Sequence, residues 1–310
     1  MTAGYRIGID LGGTKIEAAL IDRAGTVRVR RRLVTPTGDY AATVAAIADL
    51  VHAIEREADV SARGAIPVGI GIPGTIVGRT GRVKNANSTW LIGRPLAGDV
   101  AAAIGRPARF ANDANCFALS EATDGAAAGL DCVFGVILGT GVGGGIVIDG
   151  RIVVGANAIA GEWGHNPLPW PEPDERPGPR CYCGRSGCIE TFLSGPGLAA
   201  DHRRRGGGEL SAAAIAAASR AGEPACRASV ARHAERLARA LASVINLLDP
   251  DAIVLGGGLS AMTELYREVP RLWPRHVFSD EVTTRLLPPA HGDSSGVRGA
   301  AWLWPPEDSG

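Results

Sequence analysis

Two stretches of this chain, 127 residues apart, repeat one pattern of strand, glycine turn and strand. The segment IGIDLGGTKIEAALID, which begins at Ile7, aligns without a gap on FGVILGTGVGGGIVID, which begins at Phe134, with five identities in sixteen positions. A repeat of this length predicts two lobes built on one plan, with a ligand between them. Chance similarity between two glycine-rich hairpins is the alternative, and we favour duplication.

Helices and strands alternate after the first hairpin, which favours an α/β layer structure. Apolar periodicity predicts four elements in the first half: a helix over 39–58, strands over 66–72 and 107–111, and a helix over 113–124. Apolar residues spaced by three and four from 230 to 248 predict a long amphipathic helix. A strand, a GGG turn and a helix beginning at Leu259 are expected to follow it.

Composition limits the classes of function. The 310 residues are 45% hydrophobic and 21% charged, so the chain can bury the cores of two domains. Its 32 basic and 32 acidic residues leave no formal net charge, and no basic face of the kind that a nucleic-acid binder needs. The N-terminus lacks a basic segment followed by a long apolar run, so we expect a cytoplasmic protein without a membrane or nucleic-acid partner.

The first glycine loop, DLGGTK, is suited to phosphate. Its glycines let the backbone approach a ligand, and successive N–H groups can form a concave nest for phosphate oxygens. A carboxylate at the strand end can hold Mg²⁺ through water beside the phosphates of a nucleotide. The residues concerned are Asp10 for the metal ion and Gly12, Gly13, Thr14 and Lys15 for the phosphates.

The repeat keeps the loop, as Gly139, Thr140 and Gly141, but has Ile137 where Asp10 would fall. Both hairpins would therefore bind phosphate, but only the first would bind a metal ion, which suits a site for one nucleotide. A third glycine turn, Gly256 to Gly258, follows a later strand. A single loop of this kind is more often a tight hairpin, but three in one chain favour a nucleotide site.

One histidine and three cysteines form a possible metal site. His165, Cys181, Cys183 and Cys188 offer an imidazole and three thiolates, which is the ligand set of a closed, structural Zn²⁺ site. Zinc would hold shut the proline-rich loop between His165 and Cys181. Three free surface thiols are the alternative, but thiols so close together would oxidise readily, so we predict zinc.

Two carboxylates lie beside these ligands in the sequence. Glu162 comes three residues before His165, and Glu190 two residues after Cys188, so fixing the ligands also fixes the carboxylates. Carboxylates accept hydrogen bonds from hydroxyls, and a sugar presents several. We expect His165 to bind zinc through one ring nitrogen and to donate to a sugar hydroxyl through the other.

Asn112 and Asp113 follow a predicted strand and precede a helix. Local sequence favours Asp113 as the helix N-cap. The alternative is a catalytic base that takes the proton from an attacking hydroxyl, the one part still missing from a phosphoryl-transfer site.

Together DLGGTK, GIPG, ANDAN, GTGVGGG, GEWGH and C-x-C-G-x-x-G-C-x-E resemble the ROK family of sugar kinases, nearly from end to end. The cysteine motif is the most specific of these. Within the family, KNANSTWLIGRPL, DGAAAG, GEWGHNPLPW and HGDSSGVRGAAWLWP look most like the bacterial fructokinases, also called manno(fructo)kinases.

The resemblance implies the two-lobed α/β fold of the hexokinases and actin-like ATPases, which is ribonuclease H-like, with a cleft between the lobes. It implies transfer of the γ-phosphoryl group of ATP, with Mg²⁺, to the 6-hydroxyl of fructose, with mannose as a further acceptor. Asp113 would be the general base, Asn112, Asp113, Glu162, His165 and Glu190 would hold the sugar, and the three glycine loops would surround the nucleotide. Zinc would bind to the histidine and cysteines named above.

The identity of the hexose stays open, because glucose, mannose, fructose and N-acetylglucosamine offer similar hydroxyls. A glucokinase or a kinase of N-acetylglucosamine or N-acetylmannosamine is the alternative. Asn87 is a candidate substrate-binding residue, together with Asn85, Ser88, Thr89 and Trp90. A core position is the alternative for Trp90.

We place the first lobe at 1–118 and the second, with the zinc loop, at 119–289. The resemblance implies that a C-terminal helix within about 290–310 returns to the first lobe, and that a homodimer is possible. Some members are sugar-sensing repressors with a helix-turn-helix domain ahead of the glycine loop. Because nine residues precede Asp10, and because Asp10 and Asp113 are both present, we expect an enzyme.

Overall fold

The structure is a computed structural model that describes residues 4–58 and 66–305, except for the side chain of Asp293. The strands are β1 Arg6–Leu11, β2 Lys15–Ile21, β3 Val27–Val34, β4 Val68–Ile72, β5 Thr75–Ile76, β6 Val83–Lys84, β7 Ala108–Asn112, β8 Cys132–Leu138, β9 Val142–Ile148, β10 Arg151–Ile152, β11 Ala252–Gly256 and β12 Arg285–Leu287. The α-helices are α1 Tyr40–Glu57, α2 Leu96–Ile104, α3 Asp113–Thr123, α4 Ile189–Leu193, α5 Gly195–Arg204, α6 Ala212–Arg220, α7 Pro224–Leu248, α8 Leu265–Leu272 and α9 Ser295–Trp302. No helix within these residues is long and apolar enough to cross a membrane.

The described residues fall into two compact units. The first contains those up to Ala128, Gly150–Ala160 and those from Asp293 onward, and the second contains Gly129–Asp149 and Gly161–Gly292. The first unit thus includes all of α3, whereas the sequence analysis placed the division after residue 118. Residues 306–310 of the predicted C-terminal segment lie outside the described residues.

Each unit has its own sheet, and the two sheets follow one plan. In the first unit the order is β3-β2-β1-β4-β7, with β1 antiparallel to β2 and parallel to β4. In the second, β8 is antiparallel to β9 and parallel to β11, which is parallel to β12. The duplicated hairpin core predicted from the repeat is therefore confirmed.

The hairpins differ by one residue in their turns. Leu11 pairs with Ile16 across the first turn, whereas Leu138 pairs with Val142 across the second. The alignment without a gap matches the first strands correctly but is wrong by one residue across the second strands, because the first turn is one residue longer.

The helices begin and end near the predicted residues, with one exception. Helix α1 starts after Asp39, whose side chain accepts a hydrogen bond from the N–H of Ala42. The helix predicted at Leu259 is wrong: Gly258–Ala261 forms only a 3₁₀ turn, and α8 begins at Leu265.

Helix α9 packs on the sheet of the first unit so closely that backbone touches backbone. A Cβ atom at Gly8 of β1 would lie 1.9 Å from the carbonyl oxygen of Val297, and one at Gly69 of β4 would lie 1.8 Å from that of Ala300. No other residue type fits at these two positions without moving the helix.

Candidate active site

The four predicted metal ligands lie together in the second unit. The potential ligand atoms of His165, Cys181, Cys183 and Cys188 are all within 4.8 Å of one another. The Sγ atoms of Cys183 and Cys188 are 3.6 Å apart, and Cys181 Sγ is 3.6 Å from His165 Nδ1. Zn–S bonds of about 2.3 Å in a tetrahedral site place sulfurs about 3.7 Å apart, so the donor set and its spacing fit zinc.

Backbone hydrogen bonds hold the two ends of the metal loop, residues 165–188, against each other and close the turn that carries its cysteines. The N–H of Leu168 donates to the carbonyl of Gly187 at 2.9 Å, and the N–H of Cys181 donates to that of Arg185 at 2.8 Å. Helix α4 begins directly after Cys188, so the last ligand is fixed at a helix start.

Between these ends, the proline-rich segment is held by a buried carboxylate that sequence reasoning missed. Glu175 accepts hydrogen bonds from Arg236 at 2.6 Å and from Arg239 at 2.9 Å, both on α7, and all three side chains are buried. Asp201 on α5 also binds Arg236, at 3.1 Å. Although burial would raise the pKa of Asp201, Arg236 and Arg232 lower it to about 2.

Glu190 connects the metal loop to the second glycine hairpin. Its Oε2 atom accepts a hydrogen bond from the N–H of Val142 at 3.0 Å, at the start of β9. A Cβ atom at Gly141 would lie 2.6 Å from the same oxygen, so any other residue there would require the Glu190 carboxylate to shift. Glu162, at the start of the turn that carries His165, is exposed.

The second ring nitrogen of His165 already has a protein partner. His165 Nε2 lies 3.0 Å from the hydroxyl of Tyr182, and the two rings pack edge to face with centroids 5.1 Å apart. The prediction that this nitrogen faces a sugar hydroxyl did not include Tyr182. Partial burial of its hydroxyl end and the carboxylates of Glu190 and Glu162 raise the pKa of Tyr182 to about 12.

In the first unit, the structure assigns the cap of α3 to Asn112. Its Oδ1 atom accepts from the N–H of Ala114 at 2.9 Å, and its amide donates to the carbonyl of Gly74 at 3.1 Å. Asp113 is the first residue of α3, and its Oδ1 also accepts from Ala114, at 2.8 Å. The N-cap position that local sequence favoured for Asp113 belongs to its neighbour.

Asp113 lies close enough to Asp10 to affect its ionisation. The two residues sit at the carboxyl ends of β7 and β1, which flank β4 in parallel. Burial and the negative charges of Asp113 and Glu17 raise the pKa of Asp10 to about 6. Neighbouring carboxylates are a donor set that Mg²⁺ fits, because a divalent cation offsets their repulsion.

The first glycine loop is tied to the end of β3. Thr35 Oγ1 donates to the carbonyl of Gly12 at 2.8 Å, and Thr37 Oγ1 donates to that of Gly13 at 3.3 Å. The N–H of Thr35 donates to the carbonyl of Thr14 at 3.0 Å. The side chain of Lys15, at the start of β2, is half exposed.

In the second unit, two of the predicted nucleotide loops share a cavity of about 630 Å³. Its lining is mostly apolar and small, and includes Gly139, Thr140, Gly195, Gly258, Met262 and Arg220. Gly257, which has a positive φ of 76°, lies where a Cβ atom would be 2.5 Å from the carbonyl oxygen of Leu138, so the third loop packs on the end of β8. Gly256 is the last residue of β11.

Of the segment 85–90, Asn85, Asn87 and Thr89 are exposed and Ser88 is buried. Trp90 packs against the core of the first unit, and its Nε1–H donates to Thr43 Oγ1 at 3.3 Å. Trp90 is therefore partly buried at the edge of this core.

Known proteins resemble the chain over nearly all of its length. A sequence profile described as the ROK family matches residues 6–307. An N-acetyl-D-glucosamine kinase of Pectobacterium carotovorum subsp. carotovorum (strain PC1) is 41% identical over 96% of this chain and 97% of the relative. The solved ROK hexokinase of Thermus thermophilus is 31% identical, with a TM-score of 0.83 over 96% of both chains.

A ROK family glucokinase of Streptomyces griseus, solved in complex with glucose and AMPPNP, is 30% identical, with a TM-score of 0.77 over 97% of this chain and 99% of that one. These matches confirm the two-lobed, actin-like α/β fold. The chain belongs to the ROK family and is an ATP-dependent sugar kinase.

Proposed function

We propose that this enzyme transfers the γ-phosphoryl group of ATP to the 6-hydroxyl of a hexose, with N-acetyl-D-glucosamine as the acceptor. The observation that supports the chemistry is the pair of neighbouring carboxylates, Asp10 and Asp113, at the carboxyl ends of two parallel strands. A phosphoryl-transfer site needs one carboxylate for the metal ion and one for the proton of the nucleophile.

Asp113 acts as the general base. Its carboxylate accepts the proton of the 6-hydroxyl while that oxygen forms a bond to the γ-phosphorus, and the bond from the γ-phosphorus to the leaving oxygen of ADP breaks. Asn112 occupies the N-cap position of α3, and Asp113 follows it as the first helical residue, with its Oδ1 also accepting from the N–H of Ala114. Mg²⁺, when bound near Asp10, neutralises charge on the phosphates.

The second unit supplies the groups for the sugar and the nucleotide. Glu162 and Glu190 are the acceptors for sugar hydroxyls, and His165 is one of the four ligands of the zinc that we propose for the metal loop. Zinc holds His165 and the cysteines in place and takes no part in the transfer. The cavity at Gly139 and Gly258 is the place that we assign to the nucleotide, with the small residues leaving room for a base.

The choice of N-acetyl-D-glucosamine is supported by the relatives, since several curated kinases of that sugar are 40–41% identical over 96% of the chain. The fructose specificity expected from short segments lacks comparable support. Fructose remains the second candidate because GEWGHNPLPW and HGDSSGVRGAAWLWP resemble the fructokinases.

The test is ADP release from Mg-ATP with N-acetyl-D-glucosamine, fructose, mannose and glucose, compared as kcat/KM. We expect N-acetyl-D-glucosamine to give the highest value, and a higher value for fructose would replace it as the acceptor. Asp113→Asn should lower kcat at least about 100-fold while sugar binding persists. Asp280→Asn, at an exposed position, is the matched control and should retain wild-type kcat; wild-type turnover by Asp113→Asn would refute the base assignment.

A further inference from the structure

A buried carboxylate that has no part in the phosphoryl transfer lies beside the first glycine loop. Glu17, on β2, is only 2% exposed. Directly opposite it in register are Asp10 on β1 and Arg32 on β3. Lys15, two residues earlier on β2, lies on the same face of the strand. Glu17 thus neighbours both the residue that we assign to the metal ion and the cation that we assign to the phosphates.

Two arginines of β3 hold the two oxygens of Glu17. Oε1 accepts a hydrogen bond from Arg30 Nε at 2.5 Å, and Arg30 Nη2 also lies against this oxygen. Oε2 accepts from Arg32 Nε at 2.6 Å. A buried carboxylate needs such partners, because its charge is costly to remove from water. Each oxygen therefore has a cationic partner without Lys15.

Lys15 and Arg32 face the same oxygen of this carboxylate. Lys15 Nζ is 4.0 Å from Oε2, the atom that Arg32 holds, and the lysine side chain is 49% exposed. At this distance the ammonium forms no hydrogen bond with the carboxylate. The flexible lysine stem can turn toward Oε2 when that oxygen has no other partner. With Arg32 in place, the ammonium stays exposed directly after the glycine loop.

We propose that Arg32 is a positioning residue of the nucleotide site: by holding Glu17 Oε2, it leaves the ammonium of Lys15 for the phosphates of the nucleotide. This role rests on the proposed function, since Lys15 contacts phosphate only if the first glycine loop binds the nucleotide. Without Arg32, Oε2 is a buried, negatively charged atom with Lys15 already within ion-pair range. The lysine then pairs with Glu17, and the phosphates lose its charge.

The experiment measures the Kd of Mg-AMPPNP, an ATP analogue whose terminal phosphate is not transferred, by calorimetric titration without sugar. Arg32→Met should increase this Kd about three- to tenfold, whereas sugar Kd, measured without nucleotide, should stay as in wild type. Arg31→Met is the matched control, because Arg31 lies on the other face of β3 and pairs with Glu57. It should leave the nucleotide Kd unchanged; an unchanged Kd for Arg32→Met would refute the proposal.

A double variant shows whether Arg32 acts through Glu17 or contacts the nucleotide itself. Adding Glu17→Gln to Arg32→Met removes the charge that attracts Lys15, so the nucleotide Kd should return to within about twofold of wild type. If the Kd stays high, Arg32 contacts the nucleotide directly and the proposal is wrong. Because this double variant leaves no unpaired buried charge on β2, it can be measured even where Arg32→Met does not fold.

A second double variant shows whether the effect passes through Lys15. Lys15→Met should increase the nucleotide Kd at least as much as Arg32→Met does, and adding Arg32→Met to it should have no further effect, because both substitutions remove one contact. If the two effects multiply, Arg32 has only a structural role. That result, or an unchanged Kd for Lys15→Met alone, would overturn the proposal.

The nucleotide titration also separates this proposal from the proposed function. If wild type phosphorylates a hexose but Arg32→Met binds Mg-AMPPNP as wild type does, the role of Arg32 alone is refuted. If wild type binds Mg-AMPPNP but phosphorylates none of the four hexoses, the proposed acceptor is wrong, and the variants still decide the role of Arg32. If wild type does not bind Mg-AMPPNP, both proposals fail.

Discussion

The carboxylate of Glu190 accepts a hydrogen bond from the backbone N–H of Val142 at 3.0 Å. This bond joins two parts that the sequence presents separately, the cysteine motif and the glycine hairpin. Since Glu190 follows the last proposed ligand, Cys188, by two residues, the metal loop, the carboxylate proposed to bind sugar and the proposed phosphate loop are positioned together.

Gly141→Ala should disturb this connection. A Cβ atom there would lie 2.6 Å from Glu190 Oε2, so the carboxylate must move and weaken its bond to Val142. We expect sugar Kd, measured without nucleotide, to increase about tenfold. Gly98→Ala is the control, because a Cβ atom at this position in α2 meets no atom within 4 Å; an unchanged Kd for Gly141→Ala would contradict the role of the glycine.

Cys183→Ser tests the metal site. Wild type should contain about one zinc ion per chain, and the variant much less, because a serine hydroxyl is a poor substitute for a thiolate. We expect Tm to decrease by roughly 5–10 °C and sugar affinity to decrease with it. The half-buried Cys132 lies outside the cluster, so Cys132→Ser should keep its zinc; a zinc-free wild type of full activity would remove the basis for the prediction.

Glu175→Gln should destabilise the second unit. It removes the negative charge between two arginine side chains that are only 4% and 2% exposed, Arg236 and Arg239. Breaking a buried ion pair in this way costs about 3 kcal/mol in the free energy of unfolding, measured by urea denaturation. Glu209→Gln, at a side chain that is 78% exposed, should cost less than about 1 kcal/mol, and equal losses in the two variants would be inconsistent with this account.

His233 should make stability depend on pH. Burial, with the positive charge of Arg236, lowers its pKa from 6.5 to about 4. Between these values the unfolded chain binds a proton that the folded chain does not, so this stability is complete above pH 6.5 and is lost as the pH falls toward 4. The loss is on the order of 3 kcal/mol.

His233→Leu should therefore flatten the dependence of unfolding free energy on pH between 6.5 and 4. The comparison is with His52→Leu, since the His52 side chain is 43% exposed on α1. That variant should keep the slope of the wild type. If the unfolding free energy of His233→Leu depends on pH as steeply as that of the wild type, other titratable groups cause the dependence.

Much of the fold could be predicted because its signals are local. The apolar stripe of α1 and its cap at Asp39 are within one helix, and the duplicated hairpins are visible as a repeat. The ligand cluster was predictable from spacing, because three of its four members fall within eight residues. The apolar pattern that predicted a helix from Leu259 begins before the helix itself, because the chain makes a 3₁₀ turn there and α8 starts only at Leu265.

What could not be predicted depends on contacts between distant residues. In the sequence, Glu175 is one acidic residue in a proline-rich loop. Its partners Arg236 and Arg239 are on α7, far away along the chain. The bond between Tyr182 and His165 spans 17 residues; the position of Tyr182 between two cysteines was the only signal in the sequence. The acceptor sugar is harder still to predict, because different hexoses present very similar hydroxyls to the same carboxylates of the protein.

The contacts of α9 have a consequence for how the protein is made. The faces of Gly8 and Gly69 are shaped to receive the backbone at Val297 and Ala300, which a ribosome adds more than two hundred residues later. Domains usually fold as units while synthesis proceeds from the N-terminus. Here β1 and β4 keep an uncovered surface until α9 has been made, so the first unit is completed after the second can already have folded.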